Sequence, residues 1–347
     1  MSGNSAKNGR MRILVIGGSV FLGRAIVEEA LRRGHDVTTF NRGVSRPDLP
    51  GVTAVHGDRE VSADLDRLAA AGPWDRVIDV CGFTPSVVLD GVRRLNGRAA
   101  HYTFISSISA FSEWPGVTEL DEDGVRHECP PDATSGEYGV LKAGCERAVA
   151  EFFDGGTLVI SPGLILGPHE NVGRLPWWLT RIERGGRVLA PGDPGLPMQV
   201  IDARDIAAFT LDQSEISATG RFLTSGVPGN TTYGDWLNLC IEATGSDAEL
   251  VWVDDRFLLD RGVEQWSELP LWMVPAPETR GTWNPSSAKA AAAGLTCRPV
   301  RETVQDTWAW LREIPVAERS FRSRMLSHGI DPGKEAKILA EWDARDS

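Results

Sequence analysis

The chain has 347 residues, 41% of them hydrophobic and 24% charged, with a net charge of −12. That composition is soluble globular material of one large or two moderate domains. It speaks against nonspecific nucleic-acid binding, which needs clustered Lys and Arg, and against a membrane span, because no run of about 18 apolar residues occurs. Residues 1–10 are polar and small, without an apolar signal core, and read as a flexible tail, so a cytoplasmic protein is expected.

Arg12–Ile16 is an aliphatic run of the kind buried on both faces of a sheet. Gly17 and Gly18 break it. An amphipathic helix from Phe21 to Arg33 follows, with Leu22, Ile26, Ala30 and Leu31 on its apolar side and Gly34 as its stop. Strand, glycine turn and helix offer a helix N-terminus to a pyrophosphate. The glycines fit no regular fingerprint, because Val20 stands where a middle glycine would be, so the loop must take another shape.

Asp36–Phe40 is a second strand, leading into Asn41, Arg42 and Gly43. A carboxylate at such a strand end accepts from a ribose 2′-hydroxyl, whereas arginine suits a 2′-phosphate. Here Arg42 and Arg46 lie nearby and Thr39, Phe40 and Asn41 carry no charge, so NADP(H) is preferred over NAD(H). Val52–Val55 is a third strand, followed by Asp58, which either meets adenine or caps the helix beginning near Val61. Arg76–Val80 runs into Cys81-Gly82, a helix covers about Pro85 to Arg94, and Tyr102–Ile105 runs into Ser106-Ser107. Strands alternating with helices indicate a Rossmann-type α/β fold with a doubly wound parallel sheet.

Residues 112–137 form an aperiodic, proline-bearing and acidic excursion. A helix from Tyr138 to Phe152 then places Tyr138 and Lys142 four apart, on one face, before a sixth strand, Thr157–Ile160, ending in Ser161-Pro162-Gly163.

In this order the motifs resemble the extended, atypical short-chain dehydrogenase/reductase family, also called the NAD-dependent epimerase/dehydratase family, over roughly residues 11 to 310. The resemblance implies that Tyr138 is the general acid/base and that Lys142 eases proton release from the phenol and holds the nicotinamide ribose. Ser107, four residues before the aromatic Phe111, would hydrogen-bond the substrate oxygen. The cofactor would be met by Gly17, Ser19, Val20, Phe21, Leu22 and Gly23 at the pyrophosphate, with Arg24 or its backbone neighbours. Asn41, Arg42, Arg46, Asp58, Cys81 and Gly82 would lie on the adenosine side, Pro162 and Gly163 at the nicotinamide. Phe111 stands where tyrosine is common, and Ser161 where many relatives carry arginine. Ile108 and Ser109 replace the Asp-Glu pair of the 4,6-dehydratases, which disfavours that elimination.

The second half reads as a smaller α/β substrate lobe, residues 166–196 and 216–310, with a segment of about 197–215 returning to the first domain (11–165) and a helical extension over 311–347. The lobe includes a helix from Leu175 to Arg184, a strand between the glycines at 185 and 192, strands near Arg221–Thr224 and Leu250–Val253, and a helix near Tyr233 to Ala243. Asp205 is expected to cap a helix, with Arg204 pairing to it or to Asp202, and Asp331 with Pro332 to start the last helix, which could latch onto the body or mediate a homo-oligomer contact. Asn171, Arg174, Trp177 and Gln199 are substrate-facing candidates. The five cysteines and six histidines are scattered, so neither a disulfide framework nor a metal site is expected.

The leading expectation is an NADP(H)-preferring oxidoreductase acting at a secondary alcohol or ketone of a sugar-like or natural-product substrate. A sugar epimerase with retained NAD uses the same residues. A nucleotide-sensing or RNA-associated binding protein is the third reading, opposed by the net charge and by the Ser107, Tyr138 and Lys142 set.

Overall fold

The structure, a computed structural model, describes residues 9–319 and 327–345; the tail expected over residues 1–10 lies almost wholly outside them. The chain opens with β1 (Arg12–Ile16), α1 (Phe21–Arg32), β2 (Asp36–Asn41), β3 (Thr53–His56), α2 (Ser62–Ala71), β4 (Trp74–Asp79), α3 (Pro85–Leu95), β5 (Ala99–Ile105), α4 (Tyr138–Phe152) and β6 (Gly156–Pro162). Then come β7 (Leu164–Leu166), α5 (Arg174–Glu183), β8 (Arg187–Pro191), β9 (Pro197–Met198), β10 (Val200–Asp202), α6 (Ala203–Glu215) and β11 (Gly220–Thr224). The remainder is β12 (Thr231–Thr232), α7 (Tyr233–Thr244), β13 (Glu249–Val253), α8 (Asp255–Asp260), α9 (Ala288–Ala292), α10 (Val300–Leu311) and α11 (Pro332–Asp343).

Seven strands form one parallel sheet in the order β11-β6-β5-β4-β1-β2-β3. The alternation of β1 explains its layering. Ile13 and Val15 join the core under α1 and α6, whereas Leu14 and Ile16 join the opposite core under α2, α3 and α4. Both faces are therefore buried, as the continuous aliphatic runs predict. The chain reverses direction across the sheet between β1 and β4, where Ile16 lies opposite Asp79, and the crevice at such a switch point is where ligands of this architecture bind.

The segment Arg221–Thr224, expected in the lobe, is instead the seventh strand of the main sheet, pairing with β6. Its outer edge is covered: Glu122 from the long excursion accepts the Leu223 amide at 2.7 Å, and Leu223 packs with Ile108, Phe111 and Leu120. Conversely, β10 pairs with β7 and not with the main sheet, while α6 beyond it does return and packs on α1. The capping differs from expectation in two places. Asp202, in extended backbone, is the N-cap of α6 and takes the Arg204 amide, while Asp205 inside the first turn accepts from Arg298 at 2.8 Å. Arg204 pairs with Asp202 and Asp306.

The smaller lobe has its own core, built on Trp178, Trp236, Trp272 and Tyr233 in edge-to-face contact or close packing. Helix α11, capped by Asp331 as expected, closes it: Ile338 and Leu339 enter this core and Arg181 bonds Glu335 at 2.8 Å. Among the described residues no helix is long and apolar enough to cross a membrane.

Candidate active site

The site begins at the glycine turn. Gly17 and Gly18 both lie in the left-handed region, with φ of 105° and 96°, and Phe21 follows at 44°, so the turn is made by two adjacent glycines while Val20 is extended. A Cβ on Gly17 would stand 2.6 Å from Val80, and one on Gly23 would stand 2.8 Å from the Gly18 amide nitrogen. The two glycines thus let the turn close against the end of β4 and let α1 close against the turn. Val20, the N-cap of α1, offers no side-chain acceptor and the first helical turn carries no acid. Its leading amides remain available to an anion.

From there the strand ends run continuously toward α4. Asp79 is fully buried and accepts four hydrogen bonds: two from Arg59 at 2.8 and 2.9 Å, one from the Tyr102 hydroxyl at 2.8 Å and one from the Cys81 amide at 3.1 Å. Burial pushes its carboxyl up, but the Arg59 charge and these hydrogen bonds outweigh that and hold it below the usual carboxylate range. Burial also pushes the Cys81 thiol up, so Cys81 stays protonated and serves as packing beside Gly17. Neither Arg59 nor Asp79 stands out in the sequence; only their pairing across the sheet does.

Lys142 is buried to 2% exposure and donates to the carbonyls of Gly82 at 2.9 Å and Ile105 at 2.7 Å. An ammonium has three donors. Two therefore anchor it between the ends of β4 and β5, and the third is left for a ligand. Tyr138, the first residue of α4, is half-buried. Its neighbour Gly139 sits so close to the 108–110 turn that a Cβ there would be 2.0 Å from the Ser109 carbonyl oxygen. Ser107 stands at the head of that turn, its Oγ accepting the Ser109 amide at 3.1 Å, so its hydroxyl hydrogen is free to donate. Ser107, Tyr138 and Lys142 are thus brought to one place at the ends of β4 and β5.

Glu146 extends the same helix face by one more turn and was not singled out by sequence. It is fully buried, accepts from Ser106 and Arg221, and lies 3.5 Å from Arg126. Arg126 in turn covers the Phe111 ring at 3.7 Å. The regular spacing 138, 142, 146 was the signal available.

On the adenosine side, the side chain of Asn41 is occupied by the Gly43 amide and by Asp48, and Asp48 also takes His56, so both carboxylate oxygens are used locally. No free carboxylate is left at the end of β2. Arg42 and Arg46 are exposed and form no ion pair among the described residues. Asp58 does not cap α2; its Oδ1 accepts the Glu60 amide and Val61 is the N-cap. At the other end, Gly163 donates to Thr224 and its missing Cβ makes room for Ser225, while the hydroxyls of Ser161, Thr224 and Ser225 are buried without a protein partner.

The lobe candidates separate. Arg174 starts α5, has a buried Nε without a partner, and feels the charge of Glu170 and Tyr138, which puts it beside the acid/base candidate. Asn171 is exposed in the preceding loop. Trp177 is buried in the lobe core at 4.7 Å from Trp178. Gln199 is also buried, its amide donating to Gly226 and Pro285 at 2.8 Å each, which ties two loops together. Glu170 is buried under the N-terminus of α5 and takes the Arg174 amide at 2.7 Å; burial nevertheless pushes its carboxyl up to about 7.

Comparison with known proteins agrees with this arrangement. A 2-alkyl-3-oxoalkanoate reductase of Stenotrophomonas maltophilia is 30% identical over 205 residues, which is 53% of this chain and 59% of the relative, so the chain spans well under two thirds of that protein. The Bordetella bronchiseptica enzyme WbmH, solved with NAD+, has a TM-score of 0.69 at 14% identity, covering 89% of this chain and 100% of that one. The UDP-glucose 4-epimerase of Thermotoga maritima has 0.66 at 18% identity, over 87% and 99%. At such identities these two structures speak for the fold. The family model described as NAD dependent epimerase/dehydratase matches residues 13–88, the glycine turn through α3. With its seven-stranded Rossmann-like sheet, the chain belongs to the NAD-dependent epimerase/dehydratase family.

Proposed function

We propose that this protein is an NAD(P)-dependent oxidoreductase that exchanges a hydride at a secondary alcohol or ketone of a sugar-like or natural-product substrate, with NADP(H) preferred. The observation that carries the reading is the meeting of Ser107, Tyr138 and Lys142 beside the uncapped N-terminus of α1 and the Gly17 turn. A nicotinamide, when bound, supplies or accepts the hydride. Tyr138 gives the substrate oxygen its proton in reduction and takes it back in oxidation, while Ser107 donates to the same oxygen and fixes its position. Lys142, held by Gly82 and Ile105, directs its remaining N–H at the nicotinamide ribose and places its charge beside the phenol. Arg174 faces the substrate next to Tyr138.

Reduction is supported by the name of the curated relative, a ketone reductase, and the NADP(H) preference by the exposed Arg42 and Arg46 with Asp48 occupied. The test is to denature the purified protein and identify any released nucleotide by mass spectrometry, then to titrate NADPH and NADH. An empty protein that binds NADPH more tightly supports the reductase. Stoichiometric NAD supports an epimerase with retained cofactor, and failure to bind either nucleotide refutes both. In the active protein, Y138F should lower turnover about 10²- to 10⁴-fold with dinucleotide affinity unchanged.

A further inference from the structure

Three nitrogen-bearing side chains from three separate elements gather beside the first turn of α1. Arg24 is the fourth residue of that helix and pairs with Glu28 at 2.7 Å. Arg46 lies in the loop between β2 and β3, exposed and without an ion pair among the described residues. His169 comes from the lobe, in the loop between β7 and α5. Its backbone φ of 63° is left-handed, a conformation a non-glycine residue keeps only where its surroundings hold it. Here the ring is backed by Trp310 of α10, with centroids 5.1 Å apart and planes at 56°. Arg24 and Arg46 are the charged groups that act on the ring. The adjacent Glu170 turns its carboxylate to the amides of Arg174 and Leu175, and Trp310 carries no titratable group.

A histidine wedged against two arginines with no acid to answer them is poorly arranged for an empty protein and well arranged for an anion. We propose that His169 is a phosphate ligand supplied by the lobe, forming with Arg24 and Arg46 a clamp on the phosphate oxygens of the bound dinucleotide. This rests on the dinucleotide reading above and adds to it a residue outside the glycine turn and the two strand ends.

A consequence distinguishes this role from packing. Without ligand, burial and the two guanidinium charges keep the ring neutral, with its pKa pushed down to about 4. A phosphate offsets those charges, so the ring takes up a proton from solvent as the complex forms. The complex then holds a proton that the free protein lacks. Affinity therefore rises as pH falls through the pKa of the ring in the complex, by up to about tenfold per pH unit.

The test is calorimetric titration of the full chain with NADPH and with NADH from pH 5.5 to 8, in two buffers of different ionisation enthalpy, for wild type and H169Q. The 2′-phosphate of NADPH titrates near pH 6 itself, but identically for both proteins, so their difference reports the ring. Wild type is expected to take up more proton than H169Q and to lose affinity more steeply with rising pH, the two converging by pH 8. At pH 6, H169Q should bind about tenfold more weakly. A difference seen with both nucleotides assigns the ring to the pyrophosphate, and one seen with NADPH alone assigns it to the 2′-phosphate. R46Q, which leaves the ring in place, should also reduce proton uptake and guards against a misfolded H169Q. Equal pH slopes and equal proton uptake in wild type and H169Q would overturn the proposal while leaving the dinucleotide reading intact. Absence of binding to both nucleotides would overturn the two together.

Discussion

Replacing Asp79 by asparagine tests whether the floor of the cleft is held by charge pairing. The carboxylate has no exposure and serves four donors, and the Arg59 side chain that supplies two of them is only 13% exposed. Asparagine keeps one oxygen for Tyr102 or Cys81 and turns an NH2 group toward a guanidinium that has nowhere to move. Removing one partner of a buried pair typically costs about 3–5 kcal/mol, because the other charge is stranded. D79N should therefore lose roughly that much stability in urea denaturation followed by tryptophan fluorescence. D79N/R59M should recover a substantial part of it, because the stranded charge is gone. The pH dependence has a definite sign: Asp79 titrates below its unfolded value, so its contribution is present above about pH 4 and is lost as pH falls further, and D79N should flatten that acid limb. A loss below about 1 kcal/mol for D79N, the level of an exposed pair, or a double mutant no better than D79N, would refute the argument.

Other consequences concern the site and the lobe. G139A puts a Cβ 2.0 Å from the Ser109 carbonyl, a backbone atom that cannot step aside, so the start of α4 must shift. Since a displacement of about 1 Å can cost about 10² in rate, kcat should fall by more than tenfold while NADPH affinity holds within about twofold, as stopped-flow and calorimetry would show; unchanged kcat would dissociate Tyr138 from the chemistry. Glu170 has a folded pKa of about 7 against an unfolded value near 4.5, so the folded state holds the extra proton between these limits. Stability should decline by roughly 3 kcal/mol as pH rises across that window, and E170Q should remove the slope in thermal melts taken at pH 5, 6 and 7.5.

Much of the first domain was readable because its signals are local. Aliphatic runs give buried strands whoever their neighbours are, Gly17-Gly18 gives a turn through backbone freedom alone, and Asp331-Pro332 caps a helix within its own first turn. The seventh strand was misplaced for the opposite reason. Gly220–Thr224 is a short run whose partner, β6, lies about sixty residues earlier, and nothing in its pattern selects that sheet over the lobe. Asp202 and Asp205 stand three apart at one helix start, and only the extended backbone of Asp202 decides which of them caps. The residues that reasoning from sequence passed over, Arg59 with Asp79, Glu146, and His169, all act through partners far away in the chain.

Helix α4 shows how such distant partners complete a motif. Its residues 138, 142 and 146 share one face and meet three different surroundings: a half-open cleft, two backbone carbonyls, and a buried pair of arginines. The last of these bears on the first two. Glu146 takes the hydroxyl of Ser106, and Ser106 precedes Ser107 at the end of β5, so the carboxylate fastens the helix to the strand that carries the proposed substrate-oxygen donor. Arg221 of β11 and Arg126 of the excursion converge on the same carboxylate, which joins the sheet edge and the long loop to that fastening. The three residues a motif search finds are therefore positioned by a fourth that the motif leaves out, and the long acidic excursion, with Glu122 on the edge of β11 and Arg126 over Phe111, acts as the brace that keeps Ser107 and Tyr138 in register.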